Sequence, residues 1–257
     1  RCPAAALAQR HPGEVVLAEL APQAADAALL IGLRPSTGLF DLLGNGELDE
    51  EQLLSAVLEH PSGLRLLPAT CGASSGFLDT LSPDRLLQLT AVLRCRYHYT
   101  VWDMPPVLWS GALHLLRRCE RALLVTRLTD PFALRSAVAL ANALHRESLS
   151  DQSVWIIANM YERQHASALQ ELKKLVPQRQ VFTVPADSAV AESLSKGGLA
   201  VQTAPSSAFS RGLPKNSHLG PRMRTSFNCE KSSLARIPTR SLSLPALSSL
   251  NMNFALR

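Results

Sequence analysis

Apolar residues along this chain fall into two alternating patterns. Short, nearly continuous apolar runs of strand length recur at Glu14–Leu20, Leu64–Pro68, Tyr99–Asp103, Ala122–Thr126, Ser153–Ala158 and Gln180–Val184. Between them lie longer stretches in which apolar positions return every three or four residues. These are Glu50–His60, Pro83–Tyr97, Ser110–Glu120, Phe132–Glu147, Gln164–Val176 and Asp187–Ser195. The first pattern predicts strands buried on both faces, because a half-exposed strand alternates apolar with polar. The second predicts amphipathic helices. Strand alternating with helix at this spacing predicts an α/β fold with a mostly parallel sheet covered by helices on both sides.

The pattern stops near residue 202. Residues 203–257 hold eleven serines and five prolines, with no sustained helical or strand period. Eight of the 26 Lys and Arg but only one of the 21 Asp and Glu lie there, so the formal net charge of +5 belongs to this stretch. The division is a folded region over 1–202 and a basic, Ser/Pro-rich tail over 203–257 that is expected to be disordered. Two readings of the tail stand: a frame change or fusion junction near Ala204, or a genuine basic tail suited to anionic lipid or nucleic acid. No interleaving of aromatic and basic residues supports stacking on bases, which argues against a nucleic-acid partner.

Several chemistries lack their residues. The five cysteines form no CxxC pair, the seven histidines show no HxxxH spacing, and no GxSxG elbow is present. No apolar run approaches the ~20 residues of a membrane-spanning helix. Lys196-Gly197-Gly198 resembles the start of a phosphate loop, but it follows a helix and continues Leu199-Ala200-Val201 without a second Lys.

One carboxylate stands out. Asp103 closes the apolar run Tyr99-Thr100-Val101-Trp102 and is followed by Met104-Pro105-Pro106. The prolines force the chain out of the strand, so Asp103 sits at a carboxyl strand end, where ligands gather in open α/β sheets. Trp102 is expected in the core, and Trp109, beyond the prolines, partly exposed. Other strand-end polar residues are Glu19, Asn159 and Asp187. Asn159 offers a donor and an acceptor, suited to the edge of a base. Asp187 is placed to cap the helix Ser188–Ser195, as Asp26 is placed at the start of another helix. Arg135 lies in the first turns of a helix, where a solvated face is the ordinary role.

The order of these segments resembles the ParA/MinD-type deviant P-loop ATPases, and most closely their CpaE/TadZ pilus-assembly branch. The resemblance runs over about residues 5–202. It is carried by Val15–Leu33, Leu42–Ala69, the Asp103-Met104-Pro105-Pro106 strand end, Ala122–Arg135, Ile156-Ile157-Ala158-Asn159, Val184-Pro185-Ala186-Asp187 and the turn at Lys196-Gly197-Gly198. It implies a Rossmann-like, three-layer P-loop NTPase core whose first strand and phosphate loop are missing, with the following helix surviving as Ala4–Arg10. By the same resemblance Asp103 is a catalytic residue that holds Mg²⁺ through water, and Glu19 is a second catalytic carboxylate. Asn159, Pro185 and Asp187 would contact ATP. The complete protein would use ATP and Mg²⁺, form a homodimer and work with pilus or secretion machinery. It would be cytoplasmic, at the cell pole or the inner face of the membrane, with peripheral membrane association.

The departures from the family matter equally. Where the family has two switch carboxylates, this chain has Glu19 and Ala21. Glu19 moves its charge by about 1.5 Å, and misplacement on that scale costs ~100-fold in rate. Without a phosphate loop these residues are expected to give no ATP hydrolysis. Loss of a central strand would also leave edges open, implying a chain that is poorly soluble alone or is a fragment. The alternatives are a non-catalytic localisation scaffold of the same fold and a MinD/ParA-type partitioning ATPase.

Overall fold

The structure, a computed structural model, describes residues 2–21, 26–44, 48–69, 81–151 and 153–212. Its elements run α1 (Cys2–Ala8), β1 (Val15–Glu19), α2 (Ala27–Leu30), α3 (Leu39–Gly44), α4 (Glu50–Ser55), β2 (Leu58–Glu59), β3 (Leu64–Leu67) and α5 (Pro83–Arg96). They continue with β4 (Tyr99–Asp103), α6 (Ser110–Leu116), β5 (Ala122–Arg127), α7 (Pro131–Arg146), β6 (Val154–Tyr161), α8 (Ala166–Leu175), β7 (Val181–Pro185), α9 (Ser188–Ser195), α10 (Ala200–Thr203) and α11 (Ala208–Gly212).

The long helices begin where the sequence supplies an acceptor for the first free N–H groups. Ser82 accepts from Arg85 N–H ahead of α5, and Asp130 accepts from Phe132 N–H ahead of α7. Each cap is followed by proline at the first helical position, where its missing N–H costs nothing. Asp49 caps α4 in the same way.

The strands form two groups, β2-β3-β1-β4 and β5-β6-β7. All pairings are parallel except the two-residue β2, which runs antiparallel to β3. Two apolar clusters cover the two faces, and each draws side chains from both groups of strands. Val16, Ala18, Trp102, Leu124 and Ile156 point to the face covered by α3 to α8. Val15, Leu17, Val101, Leu123 and Trp155 point to the face covered by α1, α2, α10 and α11. The alternation follows from the two-residue period of a strand. The layers are helix, sheet, helix, as the sequence implies. Trp102 lies in the core and Trp109 is half-buried, both as expected.

Four details differ from the sequence reading. The helix expected over Glu50–His60 stops at Ser55, because Leu58 and Glu59 pair with Leu66 and Arg65 instead. The first helix is Cys2–Ala8 rather than Ala4–Arg10. β6 extends to Tyr161, three residues past the expected Ala158. Ordered chain also continues past Gln202. Phe209 on α11 is 6% exposed, and its N–H donates to Asp187 Oδ2 at 2.9 Å. The apolar residues that anchor this stretch are too few to register as a period. The rest of the expected tail, 213–257, lies outside the described residues.

Two glycine turns meet back to back. Gly32 (φ 74°) follows α2 and Gly197 (φ 67°) follows α9. A Cβ on Gly32 would stand 3.3 Å from the Gly197 carbonyl oxygen. Replacing Gly32 with Ala adds left-handed strain and this close contact, and is expected to cost about 2 kcal/mol of stability. Urea unfolding of Gly32→Ala measures it, and an unchanged midpoint would show that the turn yields freely.

Candidate functional site

Glu19, Asp103, Asn159 and Pro185 lie at or near the carboxyl ends of strands, and Asp187 follows just after β7. Glu19 and Asp103 are register partners on adjacent strands β1 and β4. They follow Leu17 and Val101 at a two-residue step, so both side chains project to the α1 face. Both are buried, at 0% and 2% exposure. Asn159 and Arg127 are register partners on β6 and β5, and project to the same face. Pro185 ends β7 opposite Tyr161, and Asp187 lies two residues on. The structure thus forms two subsets, Glu19 with Asp103 and Asn159 with Pro185 and Asp187, one on each group of strands.

Glu19 is fixed by backbone donors. Its Oε1 accepts from Ala27 N–H at 2.9 Å and its Oε2 accepts from Ala69 N–H at 3.2 Å. One carboxylate therefore ties the start of α2 and the exit of β3 to the end of β1. Asp26, the N-cap of α2, makes no side-chain cap bond, and Glu19 supplies the acceptor instead. The longer Glu side chain is what reaches Ala27 from a strand end eight positions back.

Asp187 has a comparable role. Its Oδ2 accepts from Phe209 N–H and its Oδ1 from Ala189 N–H, both at 2.9 Å. The Phe209 and Ala189 donors hold its carboxyl below the ordinary carboxylate range, helped by Ser207 and Ala208. The capping role expected from sequence is present, and the same carboxylate also binds α11.

Asn159 stands beside a distortion with no sequence signal. β6 bulges between Asn159 and Tyr161, and Met160 adopts φ 55° without being glycine. Such strain is costly and collects near ligand sites. Met160 is 44% exposed. Other large apolar residues are similarly exposed on segments that follow strands: Leu29 (64%) on α2, Val107 (38%) after β4, Phe132 (78%) on α7 and Leu175 (50%) on α8. Sequence reasoning missed these exposures, because each residue sits inside an otherwise ordinary amphipathic or proline-bearing stretch. Arg127, exposed and opposite Asn159, was missed as the polar end of an apolar run. Arg135 is exposed on α7, as its helical position predicts. Lys196-Gly197-Gly198 forms the turn after α9 that packs on Gly32, outside any strand-to-helix loop.

The metal chemistry open to these residues is narrow. Among the described residues no three His, Cys, Asp or Glu side chains gather as a metal-binding group. Mg²⁺ in nucleotide sites needs no such cage; one or two carboxylates with phosphates and water suffice. Asp103 fits that limited part. Among the described residues no helix is long and apolar enough to cross a membrane.

No family model matches the chain, and no curated protein matches it. Solved structures do. The chain is similar to a ParA family ATPase from Chlorobium tepidum TLS, with TM-score 0.67 and 24% identity over 82% of this chain and 90% of that one. It is similar to the septum site-determining protein MinD complexed with Mg-ADP from Pyrococcus horikoshii OT3, with TM-score 0.62 and 19% identity over 81% and 84%. It is also similar to the MinC:MinD cell division protein complex of Aquifex aeolicus, with TM-score 0.63 and 15% identity over 81% and 83%. The chain has the α/β fold of the ParA/MinD ATPases.

Two measurements follow from this geometry. Glu19→Ala leaves two buried N–H groups without an acceptor and is expected to cost about 3 kcal/mol. Chemical denaturation checks it, and unchanged stability would mean the carboxylate is not a structural tie. For Asp187 the folded value lies below the unfolded one, so its contribution is present above about pH 4 and is lost as pH falls through the folded value. The stability gap between the native chain and Asp187→Ala is therefore expected to be constant from neutral pH to about pH 5 and to shrink below about pH 4. A gap that grew on acidification would reverse the assignment.

Proposed function

We propose that this chain is a CpaE/TadZ-like ATPase-family protein for pilus or secretion-system assembly and localisation. The observation that carries the reading is the register pairing of Asp103 with Glu19, buried at the carboxyl edge of a sheet with the ParA/MinD fold. The branch assignment rests on the resemblance of Val15–Leu33 and Leu48–Leu67.

The residues fit a nucleotide in part. Asp103 would hold Mg²⁺ through water, and the metal would neutralise phosphate charge. Asn159 would meet the base edge, and the Val184–Asp187 loop would form the wall beside it. Asp187 acts by holding that loop, since backbone donors occupy both its oxygens. Among the described residues no Gly-rich loop with its Lys joins a strand to a helix, so the triphosphate cradle is not among them.

Leu29, Val107 and Phe132 are exposed on the segments that follow β1, β4 and β5, and Met160 near the end of β6. Their exposure suits a homodimer that closes face to face across nucleotide, and after it pilus or secretion components. Function of this kind places the protein in the cytoplasm, at the pole or the inner membrane face.

A second reading, a non-catalytic localisation scaffold, is favoured by one observation. The carboxylate of Glu19 is engaged by two backbone donors, and position 21 carries no carboxylate at all. Water activation then has no evident base.

Phosphate release and Mg²⁺-dependent binding of a fluorescent ADP separate the two readings. The 257-residue chain is expected to show no hydrolysis above background. Mg²⁺-dependent ADP binding is expected to weaken at least ~10-fold in Asp103→Ala, the loss of one good charged contact. Turnover that Asp103→Ala abolishes would overturn the no-hydrolysis expectation, and absence of any Mg²⁺-dependent binding would favour the scaffold.

A further inference from the structure

β7 is the outer strand of its group. In a parallel ladder one residue turns both its N–H and its C=O to one neighbouring strand, and the next residue turns both to the other side. Ile156 N–H donates to the Gln180 carbonyl at 2.9 Å, and Ile156 is the register partner of Val181. Gln180 and Phe182 therefore face β6, and Val181 and Thr183 turn their main-chain groups outward. Among the described residues no strand lies on that side and no hydrogen bond takes those outward groups. Val181 and Thr183 are half-buried. At the carboxyl end of the strand α11 packs so closely that a Cβ on Gly212 would stand 2.5 Å from Pro185 Cδ. The open part of the edge is its amino half.

A cleft of about 410 Å³ lies along that half, lined by Lys173, Pro177, Arg179, Gln180, Val181 and Phe182. Its lining holds two cationic side chains and no carboxylate. The Arg179 side chain is 4% exposed, and its Nε and Nη2 donate to Asp151 Oδ1 at 2.9 and 2.6 Å. Its Nη1 is buried without a hydrogen-bond partner. A buried donor left over is uncommon, because burial removes the water that would otherwise accept from it. Asp151 balances the charge of Arg179 but not that of Lys173. Lys173 is exposed on α8 and forms no ion pair among the described residues. The cleft therefore carries one surplus positive charge and one spare guanidinium donor, beside a strand edge with unused main-chain groups.

We propose that the free edge of β7 is a docking site for an extended acidic segment of a partner protein, which adds as a strand beside Val181 and Thr183 and sets a carboxylate between Lys173 and Arg179. In strand addition the main-chain bonds supply affinity and the alternate side chains supply selectivity. The carboxylate brings the acceptor that Arg179 Nη1 lacks, and a hydrogen bond between two charged groups is stronger than a neutral one. The sign of the charge selects the occupant. Residues 213–257 of this chain hold seven Lys and Arg and a single acid, Glu230. That stretch is of the wrong charge for the cleft, and so is a second copy presenting the same basic edge. An acidic segment has the right one. The cleft adjoins the amino end of β7, at the other end of the strand from Pro185 and Asp187. The site is therefore independent of the nucleotide reading, and its test contains no nucleotide.

Fluorescence anisotropy on the 257-residue chain tests the site. The probes are two labelled peptides of about six residues, the common strand length. One alternates valine with glutamate, and the other alternates valine with lysine. The glutamate peptide is expected to bind at least ~10-fold more tightly than the lysine peptide. Val181→Pro removes an outward N–H and leaves the bonds to β6 in place, and is expected to weaken the glutamate peptide at least ~10-fold. Lys173→Glu, at an exposed helical position, is expected to erase the preference for glutamate. Amide hydrogen exchange reads the same site without a variant. The Val181 and Thr183 amides are expected to exchange faster than that of Phe182 in the chain alone, and to slow at least ~10-fold with the glutamate peptide at saturation. If these two amides already match Phe182 in the chain alone, the edge is covered by this chain or by a second copy, and the docking site does not exist. Equal binding of the two peptides, binding that neither variant changes, or no binding at millimolar peptide would each overturn the proposal.

Discussion

A parallel strand covered on both faces has no water with which to satisfy its backbone, so its hydrogen bonds must come from other strands. That constraint organises the molecule. It explains why the strands read as continuous apolar runs and why helices lie on both sides. It also marks a line, between β4 and β5, where the ladder of the described residues is interrupted. Among the described residues, β4 and β5 keep their apolar cover while no backbone hydrogen bond joins them.

The polar residues at the carboxyl edge divide between holding the fold and serving a ligand. Glu19 gives both oxygens to main-chain donors of two other segments, and Asp187 does the same for α9 and α11. Each ties loops to the sheet where no regular ladder can reach them. Asp103 occupies the adjoining strand end in register with Glu19. Asn159 is presented by a strained bulge rather than by a regular strand end. A site built this way depends on the loops around it being held still, which is why structural carboxylates sit among the candidate ligand contacts.

Much of this was legible from the residues. The period change between strand and helix marked every strand but β2 and the longer helices, because burial on two faces and burial on one leave different apolar spacings; the short α2, α3, α10 and α11 carried no such signal. Asp103 was legible because two prolines end the strand directly after it, which fixes the carboxylate at the sheet's carboxyl edge. The end of α4 at Ser55 was not, since Leu58 and Glu59 continue a helical spacing and leave it only to pair with β3. Nor was the anchoring of α11, which depends on Phe209 and on a carboxylate more than twenty residues earlier.

The sequence by itself determined the α/β class, the alternation of elements, the strand-end position of Asp103 and the absence of a second carboxylate at position 21. These are local properties, set by spacing and residue type. Only the tertiary structure decided that Glu19 is a tie between α2 and β3, that Asp187 clasps α11, and that Met160 departs from regular strand geometry. Only it showed that, among the described residues, no backbone hydrogen bond joins β4 and β5. Such facts depend on which backbone groups meet across large sequence separations, and hydrogen-bond partnership between strands leaves no mark on the strands' own composition.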